Sequence, residues 1–413
     1  MAIFYGLYWF FCVEKKISLS WQNIFWIGFA ARICALAIPV CDDIYRYIWE
    51  GKILGLGWNP YHYAPTANEL VPYQDRTWPL INHPSFPAIY PPLIQGLFAI
   101  LAKISVTPFF FKTVFMVFDL TVFFLMKKII EPETKEIKST FKLAIYFLNP
   151  LLIFEIAGRG HFESISIFFN LVFFWILIKE SRLKPKALSK TFNRLGLYGS
   201  LLAGALVKIN SLILFPLIWF GKPFTLNLEQ KANSKFSPHY NWDFVWNLVW
   251  TFIFGLILLS SLYVTGAGNN LLRFSDSLTY NSAMPFFLSK IFFFTSKNFI
   301  HLINFMLFAA AGLYFFFVPK RNLAEQALVF MGLFLLFSPT LHPWYLLWIL
   351  PFAALAESKP WLLFCGTVLF SYAVYASIEP GGEFIENHWL RILEFLPPLI
   401  LWWLSLRRER LKN

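Results

Sequence analysis

Charge is what this chain has least of. Only 14% of its 413 residues are charged, against about a quarter in soluble domains. Hydrophobic residues make up 58% and mean hydropathy is +0.57. A soluble globular fold is excluded on that ground alone. Cysteine is scarce too. Cys12, Cys34, Cys41 and Cys365 show no disulfide or thiolate-metal spacing, and three of them sit in apolar runs, where a thiol behaves as a small hydrophobe. No Gly-rich loop runs into a Lys-Ser or Lys-Thr pair, so an ATP-driven engine is missing. A Gly-x-Ser-x-Gly elbow is absent as well, as are internal repeats and low-complexity tracts. The opening apolar stretch, 1–13, has no basic residue before it and no small-residue cleavage site after it, so it reads as an interfacial or partial helix instead of a cleaved leader.

Long apolar runs are abundant. Residues 21–40, 108–126, 162–178, 243–264, 299–318 and 389–406 each approach the roughly 20 residues that span a bilayer. The chain is therefore expected to be an all-α, polytopic integral membrane protein. Its net charge of +12 would suit nucleic acid, but the positives fall in short loops between the runs: Lys15–Lys16, Lys127 to Lys142, Lys179 to Arg194, Lys320–Arg321 and Arg407 to Arg410. That distribution marks cytoplasmic loops, not a groove for phosphodiesters.

Alternation then assigns the other loops. Span 21–40 delivers residues 41–88 to the outer face. One of the runs 89–106 and 108–126 must not cross. The first opens on Tyr-Pro-Pro and carries Gln95, Gly96 and Lys103, so it is expected to lie at the outer surface or re-enter. The spans 140–157 and 162–178 form a hairpin with GRGHFES (158–164) at its outer tip. The run 196–220, interrupted at VKIN, is expected as two half-helices meeting near Lys208, since broken helices are tolerated where they line a cavity. Spans 243–264, 299–318, 323–338, 343–356, 361–378 and 389–406 alternate thereafter, with 265–298, 338–343 and 379–388 outside. Asp42, Asp43, Arg46, His83, Arg159, His161, Glu163, Lys208 and His342 all fall at or near one face.

The densest chemistry is CDDIYRYIWEG, residues 41–51. Ionisable groups at membrane depth cost about 2.5–3.5 kcal/mol each, so Asp42, Asp43, Arg46 and Glu50 ask for a reason. Helix capping explains an Asp pair but leaves Arg46, Trp49 and Glu50 unexplained. A carboxylate against an apolar wall can serve as general base toward a hydroxyl. Arg46, Arg159, Lys208, His161 and His342 can hold a phosphate by charge-assisted hydrogen bonds and stabilise it as it departs. Snorkelling to headgroups is the plain alternative for Arg159, and His342-Pro343-Trp344-Tyr345 would also suit an interfacial aromatic belt. His83, His161 and His342 have no metal-ligand spacing. No metal or other cofactor is expected, although a divalent cation would be compatible.

The run 41–51, followed by Gly-Trp-Asn-Pro-Tyr (57–61), resembles bacterial membrane mannosyltransferases of the GT-C superfamily that use polyprenyl-phosphate sugars. Later blocks agree in order: INHPSFPAIYPP (81–92), NPLLIFEIAGRGHFES (149–164), GALVKINSLILFPL (204–217) and SPTLHPWYLLWILPF (338–352). A more distant likeness is to GPI-anchor mannosyltransferases. The resemblance implies one transmembrane domain, 1–413, of about 10–13 spans, with a first outer loop, 41–107, carrying the motif and juxtamembrane helices. It also implies a hexosyltransferase of the cytoplasmic membrane whose site faces the periplasm or exterior. Its partners would be a polyprenyl-phosphate sugar, a lipid or glycan acceptor and membrane lipid, with no nucleic acid. Asp43 matches the motif's base, with Asp42 beside it. Arg46, Arg159, His161 and Lys208 would contact the donor phosphate. His342 and Tyr345 would line the sugar pocket, Trp49, Asn59 and Tyr61 the loop wall, and Glu50, His83, Tyr90 and Glu163 complete the substrate-binding set. Arg159 departs from the pattern, which more often has a small residue there. Two other readings use the same residues: a flippase of lipid-linked sugars, and an inactive subunit of an envelope assembly complex.

Overall fold

Proline, asparagine and extended residues decide where the apolar runs break into helices. The computed structural model describes residues 1–17, 19–131, 136–182, 187–220, 242–277, 279–317, 322–376 and 387–410. Lys320, Arg321, residues 411–413 and all but the last two of the expected outer turn 379–388 lie outside the described residues. Within them the fold is all-α, and the one β-type contact is an isolated bridge between Tyr280 and Thr340.

The chain opens with α1 (Ala2–Tyr8), which runs on as a π-helical turn, Trp9–Glu14. Tyr5, Tyr8 and Cys12 are buried against the protein, so this segment belongs to the bundle core. Helix α2 (Trp21–Ala35) is capped by the Ser20 side chain and ends five residues short of the expected run. α3 (Asp43–Gly55) and α4 (Pro92–Ile104) pack closely on each other. Gly51 makes that possible, because a Cβ there would lie 2.3 Å from the Phe98 carbonyl oxygen. At 13 residues α4 is about 20 Å long, too short to cross, in keeping with a surface helix. The next helix, α5 (Pro108–Ile130), is long and apolar enough to cross.

Next, α6 (Glu136–Phe147) and α7 (Pro150–Ile153) are separated by Asn149, whose extended backbone and side-chain cap suit the residue before proline. α7 continues as a π-helical stretch, Phe154–Arg159, and this broken span bends by 46°. α8 (Glu163–Arg182) returns. α9 (Ala187–Val207) starts nine residues before the expected half-helix and is full length; it stops at extended Lys208, beyond which a 3₁₀ turn (Ile209–Leu214) leads into α10 (Pro216–Phe220).

The C-terminal half holds α11 (Trp242–Thr265), α12 (Ala267–Ser277), α13 (Met284–Ile291), α14 (Lys297–Phe317) and α15 (Leu323–Phe337). A 3₁₀ turn (Pro343–Trp348) leads to α16 (Leu350–Leu355), and α17 (Lys359–Thr367) passes through a 3₁₀ stretch, Val368–Ala376. α18 (His388–Arg410) closes the chain, with Pro397 and Pro398 inside it. Among the described residues four helices are each long and apolar enough to cross a bilayer, and the bent α6–α7 pair makes a fifth; several other apolar segments of the expected 10–13 are shorter. No residue in the apolar window of α14 is fully buried.

The main core joins α1, α2, α5, α6, α8, α9, α15 and α16. At its centre Arg32 donates from Nε to Asp119 at 2.6 Å, with both side chains fully buried. At the start of α2, Lys16 pairs with Glu357, and Glu14 with Lys359. The end of α2 leads to Asp42 and Asp43. Basic cluster and acidic motif thus lie at opposite ends of one helix.

Candidate active site

Asp42 caps α3, its carboxylate accepting from the Asp43 amide at 3.1 Å. Asp43 is then the first helical residue, where the positive end of the helix favours an anion. Its Oδ1 accepts from Asn82 Nδ2, and its Oδ2 lies 3.4 Å from the Tyr47 hydroxyl and 3.6 Å from His161 Nε2. Burial pushes the Asp43 carboxyl up, but His161 and Asn82 outweigh it and hold the group below the usual carboxylate range.

His161 follows Gly160, whose φ of +89° ends the π-helical stretch. A Cβ at this glycine would stand 2.7 Å from Ile44 Cδ1, so the residue must be glycine for both backbone and space. On the other side of the imidazole, Nδ1 lies 2.9 Å from Glu155 Oε2. Burial alone would lower the imidazole; Cys41, Asp43 and Glu155 together raise it well above its ordinary value. Cys41 Sγ, an Asp43 oxygen and a His161 nitrogen lie within 4.8 Å of one another, the one such His/Cys/carboxylate group among the described residues. The imidazolium already supplies the positive charge that two carboxylates require there.

A cavity of about 560 Å³ opens beside Asp43. Eight of the sequence-predicted residues line it: Asp42, Asp43, Arg46, His83, Tyr90, Lys208, His342 and Tyr345. The other seven, Trp49, Glu50, Asn59, Tyr61, Arg159, His161 and Glu163, stand behind the wall or away from it. Trp49 packs with Ile53, Leu70 and Ile81 under the outer loop. Asn59 accepts from the Tyr61 amide, and the Tyr61 hydroxyl donates to the Tyr90 carbonyl at 2.7 Å. Arg159 reaches the Pro39 carbonyl at 3.2 Å.

Arg46 spends all five N–H groups inside the protein. Nε donates to Glu50 at 2.7 Å, Nη1 to the carbonyls of Asn82 and His83, and Nη2 to those of Phe86 and Pro87. Gln95 in turn donates to Glu50. Arg46 is thus the clasp of the 82–87 loop, which presents Asn82 to Asp43 and holds His83 at a positive φ of 44°. Lys208 pairs with Glu163, and Phe162, Trp348 and Tyr345 surround its ammonium at 4.9, 5.0 and 5.2 Å from their ring centres.

One wall of the site is a column of rings that sequence reading did not foresee. Tyr280 stacks on His342 at 4.8 Å, His342 on Trp344 at 4.3 Å, and Trp344 on His161 at 4.1 Å. Burial holds the His342 imidazole down at about 3 despite the Asp43 charge, so it is neutral. Asn82, Asn210, Asn304, His342 and Trp348 each keep one buried polar atom without a hydrogen-bond partner, and all five line the cavity. Phe305, Phe308, Phe334 and Phe337 extend it as an apolar trough between α14 and α15. Asn82 and Trp344 sit inside the sequence blocks INHPS and LHPWY, and Glu155 is a lone carboxylate in an apolar run. That last feature was a legible clue.

Helices fit for a bilayer, and a cavity that joins a carboxylate, a caged lysine, unpaired polar groups and an apolar trough, define a polytopic membrane enzyme. Residues 10–220 of 413 match the family model described as alpha-(1->6)-mannopyranosyltransferase, N-terminal domain, and residues 296–408 match that of the MptB C-terminal domain. The first match spans just over half the chain. The protein belongs to this family and is a membrane mannosyltransferase of the GT-C type. No curated protein and no solved structure matches it.

Proposed function

We propose that the protein transfers mannose from a polyprenyl-phosphate donor to a hydroxyl of a glycolipid or glycan acceptor, with inversion at the anomeric carbon and Asp43 as general base. The observation that carries this reading is one cavity with Asp43 and Lys208 in its polar part and a phenylalanine trough leading away from them. A lipid-linked sugar phosphate needs those parts together. Asp43 takes the proton of the acceptor hydroxyl as its oxygen bonds to the anomeric carbon. The bond from that carbon to the phosphate oxygen breaks on the opposite face, and polyprenyl phosphate leaves with the electron pair. Lys208 is the cation placed to meet that charge, an effect worth about 3 kcal/mol for one good donor.

Arg46 enters this reading as the residue that shapes the loop, because its donors are spent. The unpaired groups of Asn210, His342 and Trp348 suit a neutral polyol. The family description suggests an α-(1→6) linkage, and the basic loops suggest a site on the periplasmic or outer side of the cytoplasmic membrane.

The test is transfer of label from polyprenyl-phosphate [³H]mannose into membrane lipids, with wild type and Asp43→Asn at matched amounts. Wild type is expected to transfer and Asp43→Asn to fall by about 10²–10⁴-fold. Equal transfer by both would remove Asp43 from the base role and turn attention to Asp42.

A further inference from the structure

The sequence gives no reason to link Glu155 to Asp43, which lie 112 positions apart, yet the fold joins them through one imidazole. Glu155 is fully buried and sits in the π-helical stretch that ends at Gly160. Its Oε1 accepts from the Tyr372 hydroxyl, and its Oε2 faces His161 Nδ1 at 2.9 Å. His161 is 1% exposed, and its Nε2 faces Asp43 Oδ2 at 3.6 Å. Trp344 covers the ring face in near-parallel stacking. A ring clamped on its face and with a carboxylate at each nitrogen has one favourable protonation state.

We propose that Glu155 is a positioning residue for the transfer reaction, holding His161 as an imidazolium whose Nε2 edge faces Asp43. This deepens the reading above and rests on Asp43 being the base. The anionic base must work beside an anionic sugar phosphate, and an imidazolium at its back offsets that repulsion. Glu155 touches no substrate and acts only through the ring.

Cys41, Asp42, Asp43, Glu155, His342 and Tyr345 are titratable groups set against His161, and Lys112 packs on the adjoining Gly160. Cys41 is buried, and burial raises its thiol, so it meets the ring as a neutral group. Asp43 and Glu155, together with the Cys41 sulfur, raise the proton affinity of His161. Removing the Glu155 charge must lower that affinity, because a nearby anion favours the charged imidazole by about 1–3 pH units.

The experiment is a pH profile of kcat/KM for mannosyl transfer, from pH 5.5 to 9.5, for wild type, Glu155→Gln, His161→Gln, the double variant and Cys41→Ala. Glu155→Gln is expected to stay within about threefold of wild type at pH 5.5–6 and to lose transfer above, its alkaline limb moved down by about one pH unit or more. His161→Gln should lack that limb, and adding Glu155→Gln to it should shift nothing further. Cys41→Ala should keep the wild-type limb. A uniform fall at every pH for Glu155→Gln would make Glu155 merely structural and overturn the proposal. So would a wild-type limb surviving in His161→Gln, which remains informative should Glu155→Gln fail to accumulate. Asp43→Asn separates the two levels: if it transfers normally, the base reading fails, whereas a dead Asp43→Asn with an unmoved Glu155→Gln profile sinks the relay alone.

Discussion

Replacing Arg32 by methionine should destabilise the protein by about 3–5 kcal/mol, the range for breaking a buried pair. Arg32 and Asp119 are both wholly buried and 2.6 Å apart. The Arg32 Nη1 also donates to the Gly28 and Phe147 carbonyls at 3.0 Å, and the guanidinium lies 3.7 Å from the Phe147 ring centre. Without Arg32, Asp119 keeps a single hydroxyl neighbour, Tyr146 at 3.3 Å. Its escape is to bind a proton. The Arg32→Met/Asp119→Leu pair leaves no charge behind and should return to within about 1–2 kcal/mol of wild type. The assay is denaturant unfolding in mixed micelles, followed by tryptophan fluorescence, for wild type, both single variants and the double. A double variant as unstable as the sum of the singles would show that packing, not charge, sets the cost. A loss under about 1 kcal/mol for Arg32→Met would refute the argument outright. Transfer should follow stability in this series, because α2 leads into Asp42 and Asp43. Lys112 on α5 reinforces that connection by donating to the Leu36 and Ile38 carbonyls at 2.9 Å.

Arg46→Lys should loosen the 82–87 loop, since an ammonium offers three donors where the guanidinium fills five. Limited proteolysis should then cut between residues 74 and 90 faster than in wild type, with transfer reduced; equal resistance would mean the loop is held by other contacts. Stability should also depend on the His161 proton. Its folded affinity is raised above the ordinary value of 6.5, so its contribution is complete below pH 6.5 and is lost as pH rises through the folded value. The gap in unfolding midpoint between wild type and His161→Gln should accordingly be widest at pH 6 and shrink toward alkaline pH. A gap that grows with pH would reverse the sign of that reasoning.

Composition and the length of the apolar runs were enough to read an all-α membrane chain, because a bilayer admits few alternatives to helices with internally satisfied backbones. The acidic motif at 41–51 was equally legible, since charge in apolar sequence costs energy and so stands out. The run 140–157 reads as one span, so the break at Asn149–Pro150 went unforeseen although proline disfavours a helical residue before it; Pro91–Pro92 did mark the start of the short helix α4. The polar interruption at VKIN marked the helix break at Lys208, but its Glu163 partner, 45 positions earlier, was not legible. The sequence also offered Arg46, Arg159 and His161 as equal candidates for phosphate, because each is simply a cation near one face. Tertiary structure separates them: Arg46 clasps five groups, Arg159 reaches the Pro39 carbonyl, and His161 lies between two carboxylates. The ring column Tyr280–His342–Trp344–His161 draws on three distant segments, so no local periodicity encodes it. Local pattern dictates which residues are helical and which are costly to bury, whereas the partner that neutralises a buried charge is chosen only when the helices pack.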